Sequence, residues 1–366
     1  MMTAATGENA RAFEFTGTWR DYAPIAFTNL LLSIVTLGIY TFWARARTRR
    51  YLWGHTRFID DRLEWTGTGK ELFVGYLLAF LVVLLPLGIV NFVVQGVLMR
   101  GHPGAAATMT TVLTGMGFYL LGVARFRALR YRLSRTRWHG IRGGSDRQGF
   151  AYGVGYMIAT TVSAMTFYLM LPWSMVRMWN ERWSAMSFGS LRFHSDAKWR
   201  PPFRRFALFY LTPIVLFAIL VVVGISYGAS GGFSSSSNDL PIGPIMAGLF
   251  VFMTIFFVFF GGMGFIAAGF YAAFFREGIG KLTLGDLQFG FDARTKDWVK
   301  FFLGTAALVI FTLGIGLIFV SYRNWAFLMR HLNAYGEVAV DTLMQSQTRD
   351  PGQGEGLLDA FDVGAF

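Results

Sequence analysis

The chain has no cysteine in 366 residues. That excludes disulfides, thiolate metal sites, a thiol nucleophile and an acylated lipoprotein cysteine. Charge is scarce as well: Asp, Glu, Lys and Arg make up 15% of the chain, against roughly a quarter in an ordinary soluble domain. What charge there is leans one way, with 33 Lys/Arg to 21 Asp/Glu and a net +12. It is missing from seven runs, 22–44, 72–99, 101–124, 148–176, 206–238, 240–275 and 301–322. Each run exceeds the roughly 20 apolar residues that a helix needs to cross a bilayer. A soluble single domain, a disordered chain and a disulfide scaffold are therefore excluded, and a polytopic membrane protein is expected. The first 21 residues are mostly polar, and the first apolar run leads into a basic cluster. No secretory signal is expected from that pattern.

The loops carry the charge. Segment 45–70 holds seven Lys/Arg, 125–147 eight, 177–205 seven and 276–300 five, whereas the turn near Arg100 holds one and the 229–241 turn none. Short basic loops stay cytoplasmic. On that rule runs 72–99 and 101–124 form one spanning hairpin and runs 206–238 and 240–275 another. The other three runs have cytoplasm on both sides, and both termini are cytoplasmic. The expected class is an all-α polytopic membrane protein with internal repeats. It would have four full spans in two hairpins plus three re-entrant or interfacial helical units, and small cytoplasmic antiparallel β elements. Seven conventional spans are the alternative.

The three odd runs share a frame. Residues 13–55 align without gaps on 289–331, matching Thr36 with Thr312, Gly38 with Gly314, Arg47 with Arg323 and His55 with His331. Run 148–176 fits the same frame, with Tyr152 for Tyr22, Thr166 for Thr36, Trp173 for Trp43 and Arg177 for Arg47. A second similarity links Arg45, Arg47, Arg50, Tyr51 and Arg57 to Arg125, Arg127, Arg130, Tyr131 and Arg137 at a constant offset. The expected organisation is a cytoplasmic strand segment at 1–21, a first repeat at 22–147 and a second at 148–300. A third unit with a strand follows at 301–344, then a flexible acidic tail at 345–366. Internal repeats are common in transporter folds.

Period-two alternation marks short strands at Phe13–Phe15, Leu63–Trp65, Leu191–Phe193 and Leu287–Phe291, with a weaker one near Val338–Val340. Gly17, Gly67, Gly189 and Gly285 end them. A lone hairpin is marginal in water, so these strands are expected to gather into one small sheet.

Two stretches carry a family resemblance. Tyr22, Asn29, Thr36-Leu-Gly-Ile-Tyr40, Trp43, Arg47, Arg50-Tyr51 and His55-Thr56 lead to Glu64-Trp65-Thr-Gly-Thr-Gly69 and Glu71. Later come Tyr131-Arg-Leu-Ser-Arg135-Thr-Arg137-Trp138, Gly140 and Arg142. The pattern resembles the YjgN-like family of bacterial inner-membrane proteins over about residues 11–345. The resemblance implies a bacterial inner membrane and implies no activity, because that family is one of unknown function. Phe42 stands where the family commonly has a proline before the tryptophan, whereas Pro172-Trp173 keeps it.

Motifs for chemistry are sparse. The histidines, His55, His102, His139, His194 and His331, make no HExxH pair, and no metal or cofactor is expected. Gly67-Thr-Gly69-Lys70 lacks phosphate-loop spacing. No acid–base constellation points to an enzyme. Asn91 and Gln95 share a helical face and could line a polar path or bond neighbouring helices. The sharpest feature is the juxtamembrane arginines and tyrosines, Arg45, Arg47, Arg50, Tyr51 and Arg57 with Arg125, Arg127, Arg130, Tyr131 and Arg137. Guanidinium pairs with phosphate bidentately, and basic residues near a membrane attract anionic lipid generally. Anionic membrane lipids are the expected partners, and nucleic acid is not. Two functions follow: a transporter or channel for a small anionic solute or lipid, and a non-catalytic scaffold that binds anionic lipid.

Overall fold

The computed structural model of the chain describes residues 2–4, 12–229, 242–338 and 343–348. Helices dominate, as the long apolar runs require. Their ends, however, are tied to a β-meander. Strand β1 (Met2–Ala4) precedes β2 (Phe13–Phe15). The chain then makes a helical pair, α1 (Trp19–Val35) and α2 (Thr41–Gly54), before β3 (Thr56–Phe58), β4 (Asp61–Arg62) and β5 (Glu64–Trp65). A longer pair follows: α3 (Gly69–Ala79), a π-helical turn at Phe80–Leu84, α4 (Leu85–Met99) and α5 (Pro103–Arg135). Strands β6 (Thr136–Trp138) and β7 (Ile141–Gly144) lead to α6 (Phe150–Met165) and α7 (Leu171–Trp183). Strands β8 (Ser187–Phe188) and β9 (Leu191–Ser195) lead to α8 (Arg200–Phe206), α9 (Leu208–Ala229) and α10 (Ile242–Gly280). Last come β10 (Leu282–Leu284), β11 (Leu287–Phe291), α11 (Thr295–Phe311), a 3₁₀ turn at Ile315–Phe319, α12 (Val320–His331) and β12 (Leu332–Val338).

The strands on either side of each helical pair bond to each other, antiparallel. Phe13 lies opposite Phe58, Glu64 opposite Arg137, Gly143 opposite Phe188, Leu284 opposite Phe193, and Phe291 opposite Leu332. Between these pairings sit two-residue turns at Ile59-Asp60, His139-Gly140, Gly189-Ser190 and Gly285-Asp286. Each turn opens with a residue at positive φ, the backbone that matches the twist of a tight hairpin. Consecutive connections in an antiparallel meander fall on opposite edges. So, among the described residues, five helical pairs leave from one rim of the sheet and four tight turns sit on the other.

Strands β2, β3 and β4 form one sheet and the other nine form a second, in the order β5 to β12 and then β1. Leu63 joins β4 to β5, and its N–H donates to the Thr56 carbonyl at 2.9 Å. The strands curl around an aromatic interior. Phe13 stacks on Phe58 at 4.5 Å, Phe58 meets Trp138 at 5.0 Å, and Phe13 also meets Phe289, whose ring meets Phe193. The all-α expectation is thereby corrected: the molecule is largely helical, but an extended sheet organises it. Segments of two or three residues carry too little periodicity to read as strands, and pairing with distant segments decides them. The weak strand expected near Val338–Val340 lies in β12 as far as Val338, with 339 and 340 outside the described residues. The 229–241 turn lies outside them too, Ala229 apart.

Helix starts follow local chemistry. The hydroxyls of Thr18 and Thr68 accept from the backbone N–H groups of Asp21 and Glu71, both at 3.2 Å, which places an acid in the first turn against the helix dipole. Thr68 in that role explains the Gly-Thr-Gly-Lys stretch. The π-helical turn at Phe80–Leu84 falls just ahead of Pro86, which cannot donate to the ladder. The tail expected from residue 345 is docked at its start. Gln345 Nε2 donates to Gly140 O at 3.0 Å, and Arg142 donates to Thr348 O at 2.5 Å. Residues 349–366 lie outside the described set.

The three short pairs turn alike. Thr36, Thr166 and Thr312 donate to the carbonyls of Leu32, Val162 and Leu308 at 2.7, 3.0 and 2.6 Å. The same hydroxyls accept from the N–H groups of Tyr40, Met170 and Gly316 at 2.9, 3.3 and 2.7 Å. The next two residues are left-handed each time: Leu37 and Gly38, Phe167 and Tyr168, Leu313 and Gly314. Gly38 and Gly314 sit near φ +90° with open space around a would-be Cβ, so the backbone and not crowding demands glycine. Gly38→Ala and Gly314→Ala are each expected to cost ~1 kcal/mol, read as a lower unfolding midpoint in detergent. Gly88→Ala, equally open but helical, is expected to be neutral or stabilising.

Candidate functional site

The short helical pairs frame three grooves that hold arginine, and in the one beside α11 and α12 Asp297 stands with Lys300, Arg323 and Arg330. The first lies between the α1–α2 pair and the turn into α12, with α5 at its floor, and has a volume of about 400 Å³. Arg45 and Arg49, one turn apart on α2, line it together with Arg132 of α5. Tyr22, Asn29 and Asn324 supply further polar groups. Tyr22 hydroxyl lies 3.2 Å from the Thr48 hydroxyl and donates to the Ile318 carbonyl at 3.3 Å. Asn29 is buried, and its Nδ2 donates to the Ala44 carbonyl at 3.2 Å, while its Oδ1 has no partner. A buried polar atom left in that state costs free energy, so a donor in the groove would be favoured there.

Tryptophans form the groove's rigid end. Trp53 stacks on Trp325 at 4.0 Å and meets Trp65 edge-on at 5.1 Å. Their indole N–H groups reach Thr136 (from Trp53, 2.9 Å) and Thr56 (from Trp325, 2.8 Å), which are strand residues. The guanidinium of Arg49 lies 5.0 Å over the Trp65 ring, a contact that holds the cation without neutralising it. The sheet thus sets the aromatic platform, and the platform sets Arg49.

The second groove runs between α6 and α7, closed by Arg125 of α5 and Phe274 of α10, with a volume of about 290 Å³. Arg125 and Arg182 stand at its inner end with Tyr152, and Ser163 and Ser174 further out are bonded to each other at 3.1 Å.

The ten arginines and tyrosines that the sequence singles out do not converge. Arg45 lines the first groove and Arg125 the second. Arg47 and Arg50 are exposed, with Arg47 donating to the Tyr40 hydroxyl at 3.3 Å. Arg57 and Arg137 are exposed on β3 and β6, Arg57 lying 3.9 Å from Glu14. Arg127 and Arg130 brace the β7–α6 connection through Gln148, Arg130 fully buried against Gln148 Oε1 at 3.1 Å. Tyr131 donates to Glu71 at 3.0 Å, and Tyr51 donates to the Thr18 carbonyl at 2.8 Å. Asn91 and Gln95 are both exposed on α4. In the shared frame, Trp43 packs against Phe73, Arg177 lies 5.4 Å over the Trp173 ring, and Arg323 donates to Thr305 at 3.2 Å.

Sequence reasoning passed over Arg49, Arg132 and Arg182, and met Asn29 only as part of the family pattern. Helical spacing could have found the first two, since Arg49 follows Arg45 by four and Arg132 follows Arg125 by seven, each pair on one face.

Around this geometry the helices are apolar. Among the described residues four are long and apolar enough to cross a membrane: Gly69–Met99, Pro103–Arg135, Arg200–Ser226 and Gly248–Gly280. The first, of 31 residues, is about 46 Å long against a hydrocarbon core of about 30 Å. A family model described as a bacterial protein of unknown function, DUF898, matches residues 10–360. The chain belongs to that family. Within it, the chain is similar to proteins named inner membrane protein YjgN. The Salmonella typhimurium LT2 protein is 29% identical over 130 residues, 36% of this chain and 30% of that protein. The Escherichia coli K12 protein is 38% identical over 68 residues, 19% of this chain and 17% of that protein. The aligned part is thus less than a third of either relative. No solved structure matches. A DUF898 chain with four such helices is a membrane protein, as its composition requires.

One titration follows from the α7 residue next in sequence to the second groove's Arg182. Glu181 is half-buried on α7, and burial raises its carboxyl above the ordinary glutamate range, although Arg177 and Arg147 pull the other way. A carboxyl raised by folding is easier to ionise in the unfolded chain, so its ionisation opposes folding as pH climbs past the unfolded value. Glu181→Gln is expected to raise the unfolding midpoint at neutral pH. The gain should fade as pH falls below the ordinary glutamate range, as differential scanning fluorimetry across pH would read.

Proposed function

We propose that this chain is an inner-membrane protein that binds anionic phospholipid in the groove between its first and third short helical pairs. The observation that carries the reading is the meeting of Arg45, Arg49 and Arg132 in one groove beside apolar, exposed hairpin tips. Leu37 and Leu313 at those tips are each 94% exposed, and Phe167 at the equivalent tip 84%. Such side chains belong in hydrocarbon. Arg47, Arg177 and Arg323 stand at one place in all three pairs, just past the start of the second helix. That is about 10 Å from the tip, and half the hydrocarbon core is about 15 Å. The short pairs therefore enter one leaflet from the side of the sheet and leave arginine at the phosphate level. In this reading they are repeats of one unit.

Strand pairing supports the same topology. Both ends of every helical pair return to one rim, so a single crossing at 22–44, 148–176 or 301–322 would put bonded strands on opposite sides of the bilayer. The basic loops favour a cytoplasmic sheet. Each arginine near an anionic surface adds about 1 kcal/mol of attraction, and the groove adds bidentate geometry. Transport of the bound lipid or a related anion is the second reading. The spans α3 to α5 pack on α2 and α6, whereas α10 packs on α7, α8 and α11. Among the described residues the two span pairs thus share only the second short pair, one on α6 and the other on α7, and do not pack on each other as the walls of one central pore would, which suits a holder of lipid better.

Two measurements test this. Reporter fusions at Asp60, Ser190 and Asp286 are all expected to report cytoplasm, and periplasmic activity at Ser190 alone would sink the re-entrant topology. Lipid extracted with the purified protein is expected to be enriched in phosphatidylglycerol or cardiolipin. Arg45→Ala with Arg49→Ala and Arg132→Ala should cut that enrichment at least about ten-fold, and an unchanged lipid content in the folded triple variant overturns the reading.

A further inference from the structure

We propose that the groove between α6 and α7 is a second, separate binding site, for a phosphate group, with Arg125 and Arg182 as its ligands. Arg182 is 5% exposed, and its Nε has no hydrogen-bond partner. Arg125, half-buried at the same inner end, has an unpartnered buried Nε as well, with its guanidinium 5.3 Å over the Tyr156 ring. A buried guanidinium without an acid is among the costliest states a side chain can hold, because desolvation is not repaid. Arg130, more deeply buried and with its Nε likewise unpartnered, still donates from Nη1 to Arg147 O and Gln148 Oε1. Among the described residues no acid bonds to Arg182. The charges that act on it are two more cations, Arg125 and Arg132, and burial lowers its own affinity for its proton. Glu181, its neighbour in sequence, answers to Arg177 and Arg147 instead. An oxyanion between Arg125 and Arg182 supplies the missing charge and accepts from both.

The rest of the lining says what kind of molecule carries that oxyanion. Tyr152 at the inner end is 4% exposed, and burial raises its phenol, so it stays a neutral hydroxyl that can donate. Outward the lining passes through Ser163 and Ser174 to Met175, Leu171 and Tyr168 near the hairpin tip. Tyr152 to Ser163 spans eleven helical steps, about 16 Å, close to the depth of one leaflet. A cationic inner end that grades into an apolar mouth fits a phosphate ester bearing an acyl tail. Inorganic phosphate shares the recognised group and is the simplest probe.

The test uses the full chain in nanodiscs of phosphatidylcholine, with the unfolding midpoint read against inorganic phosphate and, separately, with phosphatidylglycerol added to the disc. The wild type is expected to be stabilised. Arg125→Gln is expected to shift the phosphate dependence to at least about ten-fold higher concentration. Arg182→Met is expected to raise the midpoint without ligand, because an unpaired buried charge is gone, and to abolish the response. Should Arg182→Met fail to fold, Arg125→Gln still decides. Arg45→Ala, in the first groove, should leave the response to inorganic phosphate intact while lowering phosphatidylglycerol enrichment, so failure of this site and failure of the lipid reading are told apart. Responses to both probes that Arg125→Gln weakens mark an oxyanion site open to either, and a response to phosphatidylglycerol alone that Arg125→Gln weakens and Arg45→Ala does not marks a lipid headgroup site here. No response in the wild type, or the same response in wild type, Arg125→Gln and Arg182→Met, overturns the proposal.

Discussion

Hydrogen bonds between the strands that bracket each helical pair fix where the pair leaves the sheet and where it rejoins it. A helical excursion of 17 residues on α1 and one of 39 on α10 return alike to the sheet. The return is what sets the height of each pair above it. Apolar length then decides how far a pair reaches, and the sheet decides where it is rooted. The aromatic interior beneath ties these roots together: Phe13, Phe58, Trp138, Phe193 and Phe289 come from strands far apart in sequence and touch in succession. Rings at that spacing add attraction beyond their buried area, so the ends of distant helices are held in one frame.

The grooves inherit this frame. Trp53 and Trp325 reach strand residues Thr136 and Thr56 with their indole N–H groups, and Arg49 rests on Trp65 in β5. The first groove is therefore positioned from the sheet side, while its open side is left to whatever surrounds the hairpin tips. Turns closed by threonine make those tips alike. A hydroxyl that donates four residues back and accepts from four residues ahead joins two helices without a loop of free backbone polar groups, a necessity at an apolar tip.

How much of this the sequence disclosed depends on length scale. Helices were legible because charge vanishes over more than 20 residues at a time, and because Thr18-x-x-Asp21 and Thr68-x-x-Glu71 announce helix starts. The Thr36, Thr166 and Thr312 frame located the three turns before their geometry was known. The strands were half legible: Phe13–Phe15 and Leu287–Phe291 alternate visibly, whereas Ser187–Phe188 or Asp61–Arg62 is two residues that only a neighbour makes into a strand. Candidate ligands were the least legible. Similarity between the two basic segments chose Arg47, Arg50, Arg127 and Arg130, but the matched positions do different things. Arg130 has Gln148 to bind; Arg47 and Arg50 face outward. The groove arginines Arg49, Arg132 and Arg182 have no counterpart in that offset match, which is why it passed them by.

That division has a physical cause. An arginine near a membrane either lies in the headgroup layer, where it snorkels at little cost, or is buried, where it must be answered by an acceptor. A duplicated segment can keep both kinds only if the acceptor is duplicated too. Where the acceptor comes from a different element, as Gln148 does for Arg130, the cation can be copied and the partner lost. Positions at which the protein supplies no acceptor are then the ones at which a ligand must. By this reasoning a buried arginine such as Arg182, with no acid bonded to it among the described residues, says more about an external ligand than an exposed arginine, which water answers.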